Sequence, residues 1–199
     1  MTSNETVHST YLESLNDLDK LLVKCSNLSN TLAGIQVPHV KYKFASILFT
    51  SLCTKTFSLI CILPKSRFTQ KTIDHWDYAS ACSLTRVILE CYCMFYYLCI
   101  ENVKVDEWNC RLDLLNLHDF MSRISLIHET MDMETEREIQ ELKQKLLVNT
   151  YFTSIPEKRR HELLKGNEKY LFDIYEIAKR IKYKENEFRF IYKFLSSAT

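Results

Sequence analysis

Scarcity of chain-breaking residues is the strongest constraint on this sequence: its 199 residues include two glycines and three prolines. Tight hairpins and phosphate-cradling loops both draw on glycine, so a β-sandwich, a doubly wound α/β fold and a glycine-rich nucleotide loop are excluded. What remains is long helices joined by short links, because straight-chain residues lose little freedom in a helix and few residues here would stop one. The expectation is an all-α single domain over residues 1–199, a bundle of about six to eight helices with a buried central helix. Its parts are an N-terminal helix within 1–34, core helices within 38–130 and C-terminal helices within 134–199.

Charge adds little. Twenty-six basic and 25 acidic residues leave a formal charge of +1, which gives no global field to draw in nucleic acid or an anionic membrane. The run Lys158, Arg159, Arg160, His161 reads as a solvated helix face, with no aromatic residues interleaved for base stacking. The eight cysteines form no Cys-x-x-Cys pair and mostly sit in apolar runs. They read as reduced thiols packed like small hydrophobes, with no metal site. The first ten residues lack the basic-then-apolar pattern of a secretory leader, so a cytoplasmic location is expected. Phe44 to Leu63 is long enough to span a bilayer, but Lys55 lies at its centre, and a central lysine costs about 3 kcal/mol on insertion. A core helix is expected there, and no membrane association.

Apolar spacing places the helices. The first covers about Glu5 to Leu32 and stops near Gly34. Pro38 suits the first turn of a second, which runs to about Pro64. The third, about Asp77 to Glu101, carries one stripe of Leu84, Val87, Ile88, Cys91, Phe95 and Leu98, and a second side of Cys82, Cys93, Tyr97 and Ile100. A helix apolar on both sides belongs at the centre of a bundle. Asp106 is the expected N-cap of a fourth helix to about Thr130, with Cys110, Leu114, Leu117, Met121 and Ile124 inward. A fifth, about Glu134 to Leu147, turns Ile139, Leu142 and Leu146 inward. Pro156 opens a short helix ended by Gly166, and Glu168 to Lys182 and Glu187 to Ser196 close the chain.

Two sets of residues could carry chemistry. Arg86 and Glu90 lie four apart on one face of the central helix, and on such a helix both charges must be paired. They read either as an ion pair that sets helix register or as part of a polar pocket. Arg111 and His118 are nearly two turns apart on the fourth helix, about 10 Å along its axis, with Ser122 and Ser125 near the same face. If the two helices are neighbours, two arginines, a carboxylate and a histidine would meet and suit a phosphate or carboxylate. Otherwise Arg111 and His118 lie at a solvated edge. No serine elbow, His-Glu-x-x-His or carboxylate cluster is present, and no cofactor is expected.

Two resemblances carry further expectations. The stretches SLTRVILECYCMFYYLCIE, CRLDLLNLHDFMSR and EIAKRIKYKENEFRFIYKFLSS resemble a family of bacterial all-helical proteins of unknown function. That pattern is an aromatic-rich Arg-x3-Glu helix, then Arg, Leu-His and Arg on a later helix, then a C-terminal Tyr-x3-Ser-Ser. It maps onto Arg86, Glu90, Arg111, His118, Arg123, Tyr192, Ser196 and Ser197. That segment normally leads into a histidine, which would be expected next after Thr199, where the sequence stops: either the molecule is truncated there or this member lacks that group. Some relatives look like toxin or phage-defence components. Arg123 with His128 and Arg111 with His118 also resemble the ribonuclease motif of the higher eukaryote and prokaryote nucleotide-binding (HEPN) helical domains. The polar residue that follows the arginine in that motif is replaced by Ile124 and Leu112. Arg123 and His128 would also stand about 140° apart on a regular helix.

Together these readings make the expected protein a helical interaction or regulatory module with a polar pocket of Arg86, Glu90, Arg111, His118, Tyr192, Ser196 and Ser197. Its expected partner is another protein or a second copy. The alternative is a metal-independent ribonuclease or nucleotide-directed enzyme using His118, His128, Arg111 and Arg123, with RNA or a nucleotide as ligand.

Overall fold

The computed structural model describes residues 3–68, 75–127 and 132–198, without the side chains of 3–6 and 127. Every regular element among them is helical, so the fold is all-α. The chain divides into two compact units, Met1–Cys99 with Ile177–Thr199, and Ile100–Glu176.

The first unit holds α1 (Ser3–Leu32), α2 (Val40–Ile62), α3 (Tyr78–Phe95) and α9 (Glu185–Ser197). Helix α1 packs on α2, α2 on α3, and α3 on α9, so α3 has a helix on either side. Leu59 and Ile60 of α2, Cys82 and Cys93 of α3, and Phe188 and Leu195 of α9 are among its enclosed apolar side chains. At α2, Pro38 lies ahead of the first turn instead of within it. His39 is the N-cap, its Nδ1 accepting the Lys41 amide at 3.1 Å, because proline cannot offer a side-chain acceptor. Asp77 caps α3 by accepting the Ser80 amide at 3.1 Å.

The third helix does not stay α-helical to Glu101. Tyr96–Ile100 forms a π-helical turn, a wider winding that admits one extra residue. That turn buries the adjacent Tyr97 and Leu98 together, and the Tyr96 hydroxyl donates to the Arg180 carbonyl at 2.9 Å. Helix α2 and the run Tyr78–Ile100 are each long and apolar enough to cross a membrane by length and composition, with mean hydropathies of 1.6 and 1.3. Such segments also make the core helices of soluble proteins.

The second unit is built from α4 (Val105–Ile127), α5 (Met133–Val148), α6 (Thr150–Thr153) and α7 (Glu157–Leu163). The stripes read from the sequence are the ones enclosed: Cys110, Leu114 and Leu117 of α4 meet Ile139, Leu142 and Leu146 of α5, with Phe152, Leu163 and Leu171 completing the cluster. Each such leucine contributes about 1.5–3 kcal/mol by burial. Asp106 is not the cap of α4. The helix already begins at Val105, and Asp106 sits in its first turn, where its carboxylate takes the Thr150 hydroxyl and its carbonyl takes Asn149 Nδ2. A long-range partner displaced the local role.

Helix α8 (Ile174–Arg180) is shorter than its apolar pattern, because Asp173 caps it late, accepting the Glu176 amide at 2.8 Å. It ends where Lys182 takes a positive φ of 72°, with the Tyr183 and Lys182 amides donating to the Ala178 and Lys179 carbonyls. That is the left-handed C-terminal turn usually built with glycine.

Gly166, after α7, adopts φ +74° and packs against α4. A Cβ there would stand 2.5 Å from Met121 Cγ and 3.2 Å from its Cβ, so both the backbone and the space require glycine. Gly166→Ala is expected to destabilise the chain by about 2–4 kcal/mol in urea unfolding. Gly34→Ala, which has the same backbone need but nothing within 4 Å, is expected to lose about 1 kcal/mol.

Candidate functional site

The first unit joins its distant motif residues at the contact of α3 with α9. Arg86 Nε donates to Glu90 Oε1 at 3.1 Å, one helical turn away. The Tyr192 hydroxyl donates to the same oxygen at 2.6 Å and lies 3.5 Å from Arg86 Nη2. The guanidinium stands 5.3 Å from the Tyr192 ring centre, within cation–π range. Phe188, one turn earlier on α9, stacks on that ring at 5.9 Å and 12°. Amphipathic α9 thus presents Phe188, Tyr192 and Leu195 to α3, and Tyr192 delivers one polar atom to the charged pair.

This cluster is less enclosed than the sequence implies. The side chains of Arg86 and Glu90 are 37% and 29% exposed, so the pair sits at the rim of the helix contact, where such a pair contributes about 0–1 kcal/mol. Its hydrogen bonds to Tyr192 and Glu90 raise the Arg86 pKa. Burial, then donation to Glu90, raises that of Tyr192, so the phenol stays neutral and donating. Cys93, fully enclosed near Glu90, is pushed up to about 12 by burial and is no nucleophile. Ser196 and Ser197 direct their hydroxyls to the Tyr192 and Phe194 carbonyls of their own helix, at 2.7 and 3.0 Å.

Among the described residues of the second unit the fully buried charge is Arg111, at 0% exposure. Its Nη1 donates to Glu101 Oε2 at 2.6 Å, and Nε and Nη2 both reach Glu107 Oε1. The Phe172 ring centre lies 5.8 Å from its guanidinium. Two carboxylates against one guanidinium is the converse of an anion receptor, because the cation is already over-compensated. The expectation of a solvated edge for Arg111 is therefore corrected. Its Cβ direction continues the inward stripe begun by Cys110 and Leu114, and the two glutamates make that burial tolerable.

His118 acts as a latch. Its Nδ1 lies 3.0 Å from the Gly166 carbonyl, and a carbonyl only accepts, so that nitrogen carries the proton. The lone pair on Nε2 then faces the Ser122 hydroxyl at 3.4 Å. Serine, histidine and a carbonyl stand in a row, as in a nucleophile–base–orienter set. Ser122 lies inside α4, however, where backbone amides serve the helix ladder and give no donors to a developing oxyanion. Arg123 is exposed and paired with Asp119 at 2.6 Å. His128 lies outside the described residues. In the basic run, Arg159 is held by both oxygens of Glu168, at 2.6 and 2.8 Å, and donates to the Leu171 carbonyl.

Sequence reading missed the facing pair Asp113 and Lys145. They line an open cleft of about 390 Å³ with Asn109, Val148 and Asn149. Burial raises the Asp113 pKa and Lys145 only partly offsets it; among the described residues the two make no ion pair. The signal was the polar Asn109–Asp113 step within an apolar helix. No group of three metal-ligating side chains occurs among the described residues.

Arg111→Met is expected to destabilise by about 3–5 kcal/mol, since it strands two facing carboxylates. Adding Glu101→Gln and Glu107→Gln is expected to recover most of that in the same urea titration. Asp113 binds its proton more tightly folded than unfolded. Its contribution therefore improves as pH falls through the folded pKa toward the ordinary aspartate range. Asp113→Asn is accordingly expected to raise the thermal midpoint at neutral pH, with the gain over wild type shrinking as the solution is acidified.

A search of curated proteins gave no match, and a search of solved structures gave none either. The model of a family of unknown function (DUF5677) matches residues 42–199, a span that starts within α2 and contains the α3–α9 junction, the Arg111 clamp and the His118 latch. The chain belongs to this family of unknown function.

Proposed function

We propose that this protein is a non-enzymatic helical module that works through contacts with a second copy or a protein partner, as a water-soluble cytoplasmic component of a defence or toxin system. One observation supports this reading above others. The side chains best suited to chemistry are spent fastening helices to one another, while the outward side of α9 is apolar. Phe190 is 72% exposed, and Ile191 and Phe194 are exposed beside it. Phe190 stacks on Phe194 at 6.3 Å, and Tyr78 meets Phe194 edge-on at 6.1 Å. Clustered exposed aromatic residues are typical of association surfaces.

The ribonuclease reading would need a free base and a free cation near one phosphate. Arg111 is clamped, His118 Nδ1 is engaged, and Arg123 faces Asp119.

One experiment separates the two. The purified chain is expected to stay in the supernatant after ultracentrifugation, to self-associate in sedimentation velocity, and to leave total RNA intact in metal-free buffer. Phe190→Glu with Phe194→Glu is expected to yield a folded monomer. Metal-independent RNA cleavage that disappears in a folded His118→Ala variant would establish the enzyme instead. A wild-type chain that stays monomeric at every concentration would remove the self-association arm.

A further inference from the structure

The even charge balance of the chain hides a segregation. Between Asp19 and Asp74 the sequence holds seven lysines and one arginine but no acidic residue. That window builds the later part of α1, the link after it and all of α2. The two helices pack together and run antiparallel. The Tyr11 hydroxyl donates to the Pro64 carbonyl at 2.6 Å, and Asp19 receives Nε and Nη2 of Arg67 at 2.6 and 3.1 Å. The earlier part of α1 therefore lies beside the end of α2, and the end of α1 with the start of α2 forms the opposite tip of a helical hairpin.

That tip projects into water. From Asn30 to Val40 every residue except Val37 is exposed. Leu28, Leu32, Ile35 and Tyr42 are 50%, 52%, 59% and 58% exposed. Lys41 and Lys43 stand in the first turn of α2, and Lys24 about two turns before the end of α1. None of these three ammonium groups is in an ion pair among the described residues. The nearest acid along α1 is Asp19, which lies roughly 20 Å along the helix axis from Leu32 and already holds Arg67. That separation exceeds the ~10 Å over which exposed charges act on each other at 0.1 M salt.

We propose that the tip of the α1–α2 hairpin is a reversible docking surface for a bilayer rich in anionic lipid. The two parts of the surface suit the two layers of such a membrane. Leucine and isoleucine side chains enter the boundary between headgroups and acyl chains, and Tyr42 sits at headgroup level. The lysines reach lipid phosphates while their stems stay in the apolar layer. Helix α2 remains packed against both α1 and α3, so the docking is peripheral and the chain stays water-soluble without lipid.

Charge and shape favour lipid over a protein at this tip. The exposed face of α9 carries Glu185, Glu187 and Lys193 about its aromatic residues, a rim of mixed sign as in protein contacts. The hairpin tip carries one sign only. Its apolar side chains come from two helix ends and the link between them, so they form no groove or flat face for a partner helix. A fluid interface requires neither.

The test is co-sedimentation of the whole chain with vesicles of phosphatidylcholine, alone or mixed with phosphatidylglycerol. The expected result is binding to the mixed vesicles only, weakened by salt. Lys41→Gln with Lys43→Gln is expected to lower the partition coefficient about twentyfold, from roughly fivefold per lysine. Leu32→Gln with Ile35→Gln is expected to abolish binding with the circular dichroism unchanged, since both side chains are exposed. Lys158→Gln with Lys179→Gln, which removes the same charge elsewhere, is expected to leave binding unchanged. Absence of binding to the mixed vesicles overturns the proposal, and capture by soluble polyglutamate in that case assigns the tip to an acidic protein. Binding that ignores the tip variants, or that falls equally with the Lys158 and Lys179 pair, overturns it too. Sedimentation velocity without vesicles keeps the outcome separate from the α9 reading: self-association lost in the Leu32 and Ile35 variant would assign the tip to a second copy instead.

Discussion

A guanidinium with no exposed surface cannot stand alone, and the second unit is organised around that fact. Arg111 falls on the inward stripe of α4 and brings its guanidinium with it. Its neighbours therefore have to be acceptors. Glu107 is supplied by the preceding turn of the same helix. Glu101 is supplied from outside the helix, which fixes the short run 101–104 over the first turn of α4. Moving either carboxylate would leave a buried ion short of partners, a penalty of several kcal/mol that few folds of this size absorb.

The same economy recurs at smaller scale. In a chain so poor in glycine and proline, helix ends and links expose carbonyls that nothing local can satisfy. Side chains from distant helices reach them. The Tyr11 hydroxyl takes Pro64, Tyr96 takes Arg180, His118 takes Gly166 and Arg159 takes Leu171. Each of these bonds fixes the position of a link relative to a helix, and a neutral one contributes about 1 kcal/mol. Tyrosine, histidine and arginine in such positions look like reactive groups in the sequence and behave as fasteners in the fold.

The regular part of the fold was readable in advance because it depends on near neighbours. The apolar spacing of Cys110, Leu114 and Leu117, and of Ile139, Leu142 and Leu146, needs only helical geometry to place six side chains on facing stripes. The departures all have distant causes. Asp106 falls inside the first turn of α4 instead of ahead of it, and its carboxylate holds the Thr150 hydroxyl. The π turn at Tyr96–Ile100 has no glycine or proline to announce it, and it serves to bury Tyr97 and Leu98 side by side. Arg86 and Glu90 were correctly paired from their spacing. Their partial exposure, and the arrival of Tyr192 from 102 residues beyond Glu90, depend on where α9 docks.

The sequence by itself determined that this chain would be helical, where its main helices run, and which stripes of α4 and α5 face inward, whereas Val87 and Ile100 of the third helix's expected stripes are exposed. Those outcomes follow from the scarcity of breakers and from a 3.6-residue repeat, both local properties. Tertiary structure alone decided which charge is buried and which distant carbonyl His118 meets. Those outcomes depend on what stands within about 3 Å of a side chain, and the atoms that stand there come from residues tens of positions away.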